Sequence, residues 1–272
     1  MHPRHLLQRY GLHPKKGLGQ NFLVEAAALR RIVAAADLTE LDTVLEIGPG
    51  LGALTRHLAA AAGRVVAVEL DDRFIPVLTE ELAGVSNVEL VEGDILALDP
   101  SALAGGPYKV VANLPYYLST PLLFRMAGCR RWFSRLLLMV QDEVAARMAA
   151  SPQEGKTYGS LSVAIQHAFT VRRVLRVPPG AFRPPPKVDS AVVELRPRLP
   201  VLAPSGEAWF FEHVKRLFSR RRKLMLSGLR EAGQSLPPER WQALELLVGE
   251  RRAETLTPDE HLRVFQLLHT PP

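Results

Sequence analysis

Cysteine is almost missing: Cys129 stands alone in 272 residues. One thiol excludes a disulfide framework within the chain, and no Cys or His cluster has the spacing of a zinc site, so no metal is assigned. Between Ala127-Gly128 and Arg130-Arg131, near a helix end, Cys129 reads as a structural residue. Long apolar runs are also missing. The first residues carry His and Arg in place of the apolar stretch of a signal peptide, and no later segment approaches the length of a membrane span. A cytoplasmic protein without a membrane partner is the expectation. Repeats and low-complexity tracts are absent too.

What remains is a globular composition, 47% hydrophobic and 23% charged, able to bury enough apolar surface to fold without a partner. The length suits a full α/β domain with a smaller appendage. A net charge of +6 and a pI near 9.7 favour a polyanionic partner.

Met1 to Gln20 mixes basic side chains with Pro3, Pro14 and several glycines and shows no period of two or of 3.6, which predicts a mobile basic arm over residues 1–20. From Asn21 to Asp37 the positions Leu23, Leu29, Ile32 and Val33 recur at helical spacing. Strands are then predicted at Thr43 to Gly48, Arg64 to Leu70, Val88 to Gly93, Lys109 to Leu114 and Arg135 to Gln141. Helices alternate with them at Ala53 to Ala61, Arg73 to Leu82 and Thr120 to Met126. That alternation predicts an α/β fold with a doubly wound, mostly parallel, Rossmann-like sheet. Near-continuous runs such as Val65-Val66-Ala67-Val68 fit strands covered on both faces. Helical stretches at Asp142 to Ala150 and Leu161 to Ala168 come before Val171 to Val177 and Ala191 to Leu195. These last two segments flank a proline-rich turn and predict an antiparallel hairpin at one sheet edge. Past Pro200 only helical patterns remain, so the expected division is a sheet domain over 21–199 and a small all-α domain over 200–272.

The loop Glu46-Ile47-Gly48-Pro49-Gly50-Leu51-Gly52 ends the first long strand and opens a helix. Its glycines allow a sharp turn and close approach of a ligand, and the helix start offers unpaired amides. Read as Gly48-x-Gly50-x-x-Ala53 it also fits a dinucleotide fingerprint, so the loop alone does not separate NAD from S-adenosylmethionine. Glu69, at the next strand end, is placed for ribose hydroxyls, which both share. Asp94 follows the third strand and could accept from an adenine amine.

Asn113-Leu114-Pro115-Tyr116 follows the fourth strand. An aromatic amine is a poor nucleophile because its lone pair is delocalised into the ring. If the Asn113 carboxamide oxygen and the Leu114 carbonyl each accept one N–H, the nitrogen is biased towards a tetrahedral shape with its lone pair aimed at an electrophile. Pro115 stiffens the turn, and Tyr116 offers a ring face to a base. Phe182, at the tip of the proline-rich turn, is the candidate for a second aromatic jaw, with a hydrophobic plug as the alternative.

With Gly19-Gln20-Asn21-Phe22-Leu23, the glycine loop, Asn113 to Tyr116, and the spaced Phe182, Pro184, Pro186, Val188 and Ser190, the chain closely resembles the KsgA (RsmA) family of ribosomal RNA adenine dimethyltransferases. The resemblance runs from about Lys16 into the C-terminal domain. It implies a class I methyltransferase fold with S-adenosylmethionine as methyl donor. Gln20, Asn21 and Leu23 would reach back to that cofactor alongside Glu46, Gly48, Gly50, Glu69, Asp94 and Asn113. It also implies the substrate: two adjacent adenosines in a hairpin loop near the 3′ end of 16S ribosomal RNA, each carried to N6,N6-dimethyladenosine within the assembling small (30S) subunit. Phe218-Ser219-Arg220-Arg221-Arg222-Lys223 matches the family's basic segment, although Ser227 stands where Asn is more usual. Lys215, Arg216, Arg220, Arg221, Arg222 and Lys223 thus form the expected RNA-binding patch, and a monomer fits docking on a ribosomal subunit. The rival readings are the large-subunit (23S) dimethyltransferase of macrolide resistance and a non-catalytic assembly or transcription factor on the same fold.

Overall fold

The computed structural model of the chain describes residues 3–15, 17, 19–231 and 235–269. Lys16, where the resemblance begins, and Met1, His2 and Leu18 of the expected arm lie outside the described residues. The rest of that arm corrects the expectation, because Pro3–Arg9 is a helix, α1. Leu6 is buried in a cluster with Phe22, Leu51, Phe74, Val77 and Leu78, and the Tyr10 hydroxyl donates to Glu80 at 2.6 Å. The segment is too short for its apolar residues to register as a helical period, yet Leu6 is buried and Leu7, Tyr10 and Leu12 pack against the same cluster.

The predicted helix over 21–37 divides into a two-residue strand β1 (Phe22–Leu23) and helix α2 (Ala26–Ala36). Alternation follows, with α5 added where no helix was expected: β2 (Thr43–Ile47), α3 (Ala53–Ala59), β3 (Arg64–Glu69), α4 (Ile75–Glu81), β4 (Val88–Glu92), α5 (Pro100–Ala104), β5 (Tyr108–Asn113), α6 (Ser119–Gly128) and β6 (Phe133–Gln141). Next come α7 (Asp142–Ala149), α8 (Ser160–Ala168), β7 (Phe169–Val177), β8 (Phe182–Arg183) and β9 (Ser190–Pro197). The last helices are α9 (Pro204–Ser219), α10 (Met225–Glu231), α11 (Pro238–Val248) and α12 (Pro258–His269).

Seven strands form one sheet in the order β4-β3-β2-β5-β6-β9-β7. The pairs from β4 through to β6 are parallel, and β9 runs antiparallel to β6. This is the expected mostly parallel sheet with an antiparallel edge. Val65 to Val68 are all buried, as a strand covered on both faces requires. Chain order reverses between β2 and β5, the switch point where a crevice opens beyond the carboxyl ends of the strands. At the far edge, buried Glu194 on β9 binds Arg135 of β6, Arg172 of β7 and Arg196. Burial raises the pKa of this carboxyl, but the guanidiniums of Arg172 and Arg135 outweigh it and leave the group below its ordinary value.

Two compact units emerge, Met1–Ala145 with Val171–Pro197, and Ala146–Thr170 with Arg198–Pro272. The expected boundary at 199/200 is therefore incomplete, because residues 146–170 belong with the helices. Ser162 donates to the Arg147 carbonyl, Tyr158 donates to the Leu256 carbonyl at 2.7 Å, and buried His167 pairs with Glu207. A segment that precedes β7 in sequence thus finds its partners in α9 and beyond. The helical unit has its own apolar cluster, including Met225, Leu229, Leu244, Val248, Leu256 and Val264.

Candidate active site

The glycine loop lies at the switch point. Gly48, Gly50 and Gly52 all have positive φ, from 57° to 76°, where a side chain is strained. A Cβ on Gly50 would lie 3.1 Å from the Phe22 ring, and one on Gly52 would lie 3.2 Å from Leu78. The turn is thus packed as closely as bare backbone permits. Glu69 holds it from the next strand end: one carboxylate oxygen accepts the Gly50 amide and the other accepts the Asp71 amide, each at 2.9 Å. Burial raises the Glu69 pKa, and each oxygen keeps a lone pair for a ligand donor.

Asp71 extends the network. It is buried, accepts from Gln20 at 2.8 Å and pairs with Arg73 and Lys15. The Arg73 guanidinium, with Gln20 and Lys15, holds its carboxyl well below the usual carboxylate range. The Gln20 amide is consequently spent on Asp71 and on the Lys15 backbone amide. It positions the segment over the crevice, and sequence reasoning missed Asp71 as its anchor.

Asn113 ends β5. Its amide nitrogen donates to the Asn21 carbonyl at 3.1 Å, and Asn21 donates in turn to the Gly19 carbonyl. With the nitrogen engaged, the carboxamide oxygen is left as an acceptor. The Leu114 amide donates to Met139 of β6 at 3.0 Å, while no bond to the Leu114 carbonyl is seen among the described residues. Tyr116 lies 2.8 Å from Ser190, hydroxyl to hydroxyl, so the serine that closes the Phe182 to Ser190 motif fixes the tyrosine of the other motif.

One crevice is lined by Gln20, Asn21, Leu23, Glu46, Gly48, Gly50, Glu69, Asp94, Asn113, Leu114 and Tyr116, and these predicted site residues are brought together. Asp94 is exposed there, with one oxygen accepting the Leu96 amide. Glu46 is buried, one carboxylate oxygen has no partner among the described residues, and burial with nearby Glu69 lifts its pKa to about 8. Phe182 is the exception. It is 1% exposed, shares a buried cluster with Leu23, Val177 and Ala181, and pairs through β8 with Leu23 of β1. The expected aromatic jaw is therefore a core residue, the alternative weighed from the sequence. Tyr117, 47% exposed, places a second ring on the crevice wall; the doublet Tyr116-Tyr117 was its only signal.

A family model described as ribosomal RNA adenine dimethylase matches residues 11–270. The chain belongs to the ribosomal RNA adenine dimethylase family. It is 46% identical to a ribosomal RNA small subunit methyltransferase A of Pelotomaculum thermopropionicum, across 94% of this chain and 92% of the relative. It is 44% identical to the protein of that name from Moorella thermoacetica, across 97% and 95%. Among solved structures it is similar to a dimethyladenosine transferase from Plasmodium falciparum, with a TM-score of 0.74 and 27% identity over 89% of this chain and 95% of the other. The 23S rRNA methyltransferase ErmE scores 0.70 at 28% identity, over 91% and 99%. As a member of this dimethylase family the chain is a methyltransferase, a class that uses S-adenosylmethionine.

The basic residues expected to bind RNA all belong to the helical unit and are not equivalent. Arg221 pairs with Glu254 and donates to the carbonyls of Gly155 and Lys156, which makes it a latch within the unit. Arg220 and Lys223 share Glu231, and Lys215 binds Glu212. Arg216 and Arg222 are exposed and form no ion pair among the described residues. No helix among them is long and apolar enough to cross a membrane.

Proposed function

We propose that this protein transfers methyl groups from S-adenosylmethionine to N6 of two adjacent adenosines in a hairpin loop near the 3′ end of 16S ribosomal RNA. Its substrate is the assembling small subunit in the cytoplasm, and it works as a monomer. The observation that carries the reading is Asn113, whose amide nitrogen is held by the Asn21 carbonyl so that its oxygen serves as an acceptor at the crevice.

The crevice suits the cofactor. Glu69 and exposed Asp94 offer acceptors for ribose hydroxyls and an adenine amine, the glycine loop permits close approach, and the unpartnered Glu46 oxygen complements an ammonium group. When bound, S-adenosylmethionine supplies an electrophilic methyl on a sulfonium. The protein's part is positioning. Asn113 and the Leu114 carbonyl accept the two N–H bonds of the target amine and direct its lone pair, while Tyr116 and Tyr117 present ring faces to the base. The amine becomes acidic once alkylated, so no strong base is required beside it.

A second reading, methylation of large-subunit RNA, draws on the likeness to ErmE. The small-subunit reading is preferred because the relatives sharing 44% to 46% of their residues carry small-subunit names. Mass spectrometry of RNA from unmethylated subunits incubated with the protein and methyl donor tests both. Two dimethyladenosines are expected in 16S RNA and none in 23S RNA; the reverse would establish the second reading. Binding without any transfer would point to an assembly factor. Asn113→Ala should slow transfer by about a hundredfold or more with cofactor affinity little changed, and normal turnover would remove Asn113 from the reaction.

A further inference from the structure

Trp209, His213, Arg216 and Arg220 recur along α9 at the spacing of one helical face. That face carries rings at one end and cations at the other. Trp209 is 66% exposed, and a pocket of about 540 Å³ opens beside the stripe over Leu224, Met225 and Leu229. Every residue lining it belongs to the helical unit.

The rings cluster at steep angles, 59° between Trp209 and His269 and 87° between His269 and His213. Trp209 lies 6.4 Å from His269, centroid to centroid, and His269 lies 5.8 Å from His213. Burial, with nearby His269, His261 and Arg216, takes His213 down to about 3, and burial lowers His269 as well. Both imidazoles are therefore neutral at pH 7 and can stack or hydrogen bond without repelling the adjacent guanidiniums. The His213 Nε2 is buried with no partner among the described residues, a polar atom left for the edge of a ligand. Arg216, Arg220 and Lys223 line the pocket, and since Arg220 and Lys223 share the single carboxylate of Glu231 the three keep a net positive charge; the one acid among the lining residues, Glu212, is bound by Lys215 at 2.7 Å.

We propose that this pocket is an RNA subsite separate from the methylation crevice, holding one unstacked nucleotide with its base on the exposed Trp209 ring and its flanking phosphates on Arg216 and Arg220. The inference rests on the reading of this chain as an enzyme acting on RNA and adds where the helical unit grips it. Seven residues of α9 separate Trp209 from Arg216, about 10 Å along the axis, which suits a base and the phosphates beside it. Cations alone would serve a duplex backbone. An exposed tryptophan over an apolar floor adds a stacking platform, which only a single-stranded or splayed nucleotide can use. Such stacking tolerates any base, so the subsite measures strand state more than sequence.

The test uses the full chain labelled with 5-fluorotryptophan, with the Trp209 fluorine resonance assigned from Trp209→Phe. A short single-stranded RNA should shift that resonance, and the same strand made of abasic residues should not. Trp209→Ala, checked for folding by circular dichroism, should weaken RNA binding roughly five- to hundredfold and leave the salt slope intact. Arg216→Ala should instead flatten that slope by about one unit. RNA that binds with the Trp209 signal unmoved and with equal affinity for Trp209→Ala overturns the subsite while leaving the RNA reading in place. Failure of the unaltered protein to bind any RNA overturns both. An equal Trp209 response to polyglutamate would make the surface a protein contact and sink the proposal.

Discussion

Glu46 closes β2 with a carboxylate oxygen that no described residue satisfies, and burial places its pKa at about 8. At pH 7 most molecules therefore hold it protonated. The folded value lies above the unfolded one, so its contribution to stability is complete below the ordinary value of 4.5 and is lost as pH rises from there to about 8. A cationic ligand reverses the shift by favouring the carboxylate. Binding of S-adenosylmethionine should then release protons near pH 7 and tighten between about pH 6 and 9. Calorimetry in buffers of different ionisation enthalpy would measure the release; a value of zero would show that Glu46 does not meet the ligand's charged end. Glu46→Gln should abolish the pH dependence. The sequence shows Glu46 clearly as part of the glycine motif, but its protonation follows from burial beside Glu69, which only the folded chain reveals.

At the scale of elements, the basic segment after α9 divides by partner. Arg221 ties Glu254 to the carbonyls of residues 155 and 156, whereas Arg222 is exposed and has no ion pair among the described residues. Arg221→Ala should cost about 1–3 kcal/mol of stability and Arg222→Ala almost none, while only Arg222→Ala should flatten the salt dependence of RNA binding by about one unit. Thermal melts and binding across a salt series measure the two, and an Arg222 variant with an unaltered slope would remove that residue from the interface. From the sequence all six cations look alike, since an acid partner such as Glu254, 33 positions from Arg221, lies far along the chain. The sheet was legible because apolar strands and glycine turns are local signals. Phe182 misled for the opposite reason: prolines around it suggest a stiff exposed tip, and its burial against Leu23 depends on a two-residue pairing across 159 positions. Leu6 and Tyr10 are similar, too few to show a period yet docked on α4.

Over the whole molecule, every residue of the crevice belongs to the sheet unit, and every residue of the α9 pocket belongs to the helical unit. Hydrogen exchange should separate the two ligands accordingly. S-adenosylhomocysteine should slow exchange at residues 46–54, 69–74 and 113–118 and leave α9 to α12 unchanged, while RNA should slow exchange in α9. Cofactor protection confined to α9 would break the assignment. The excursion of residues 146–170 from the sheet unit into the helical one also orders the birth of the protein. While the chain is being made, β6 waits for β9 to emerge, and α8 waits longer still for α9 and α12. Until then Leu161, Val163 and Ile165, all buried in the finished fold, have α7, to which Ser162 and Gln166 bond, but neither α9 nor α12. Helix α8 is thus made several seconds, at ordinary rates of synthesis, before two of the helices it packs against.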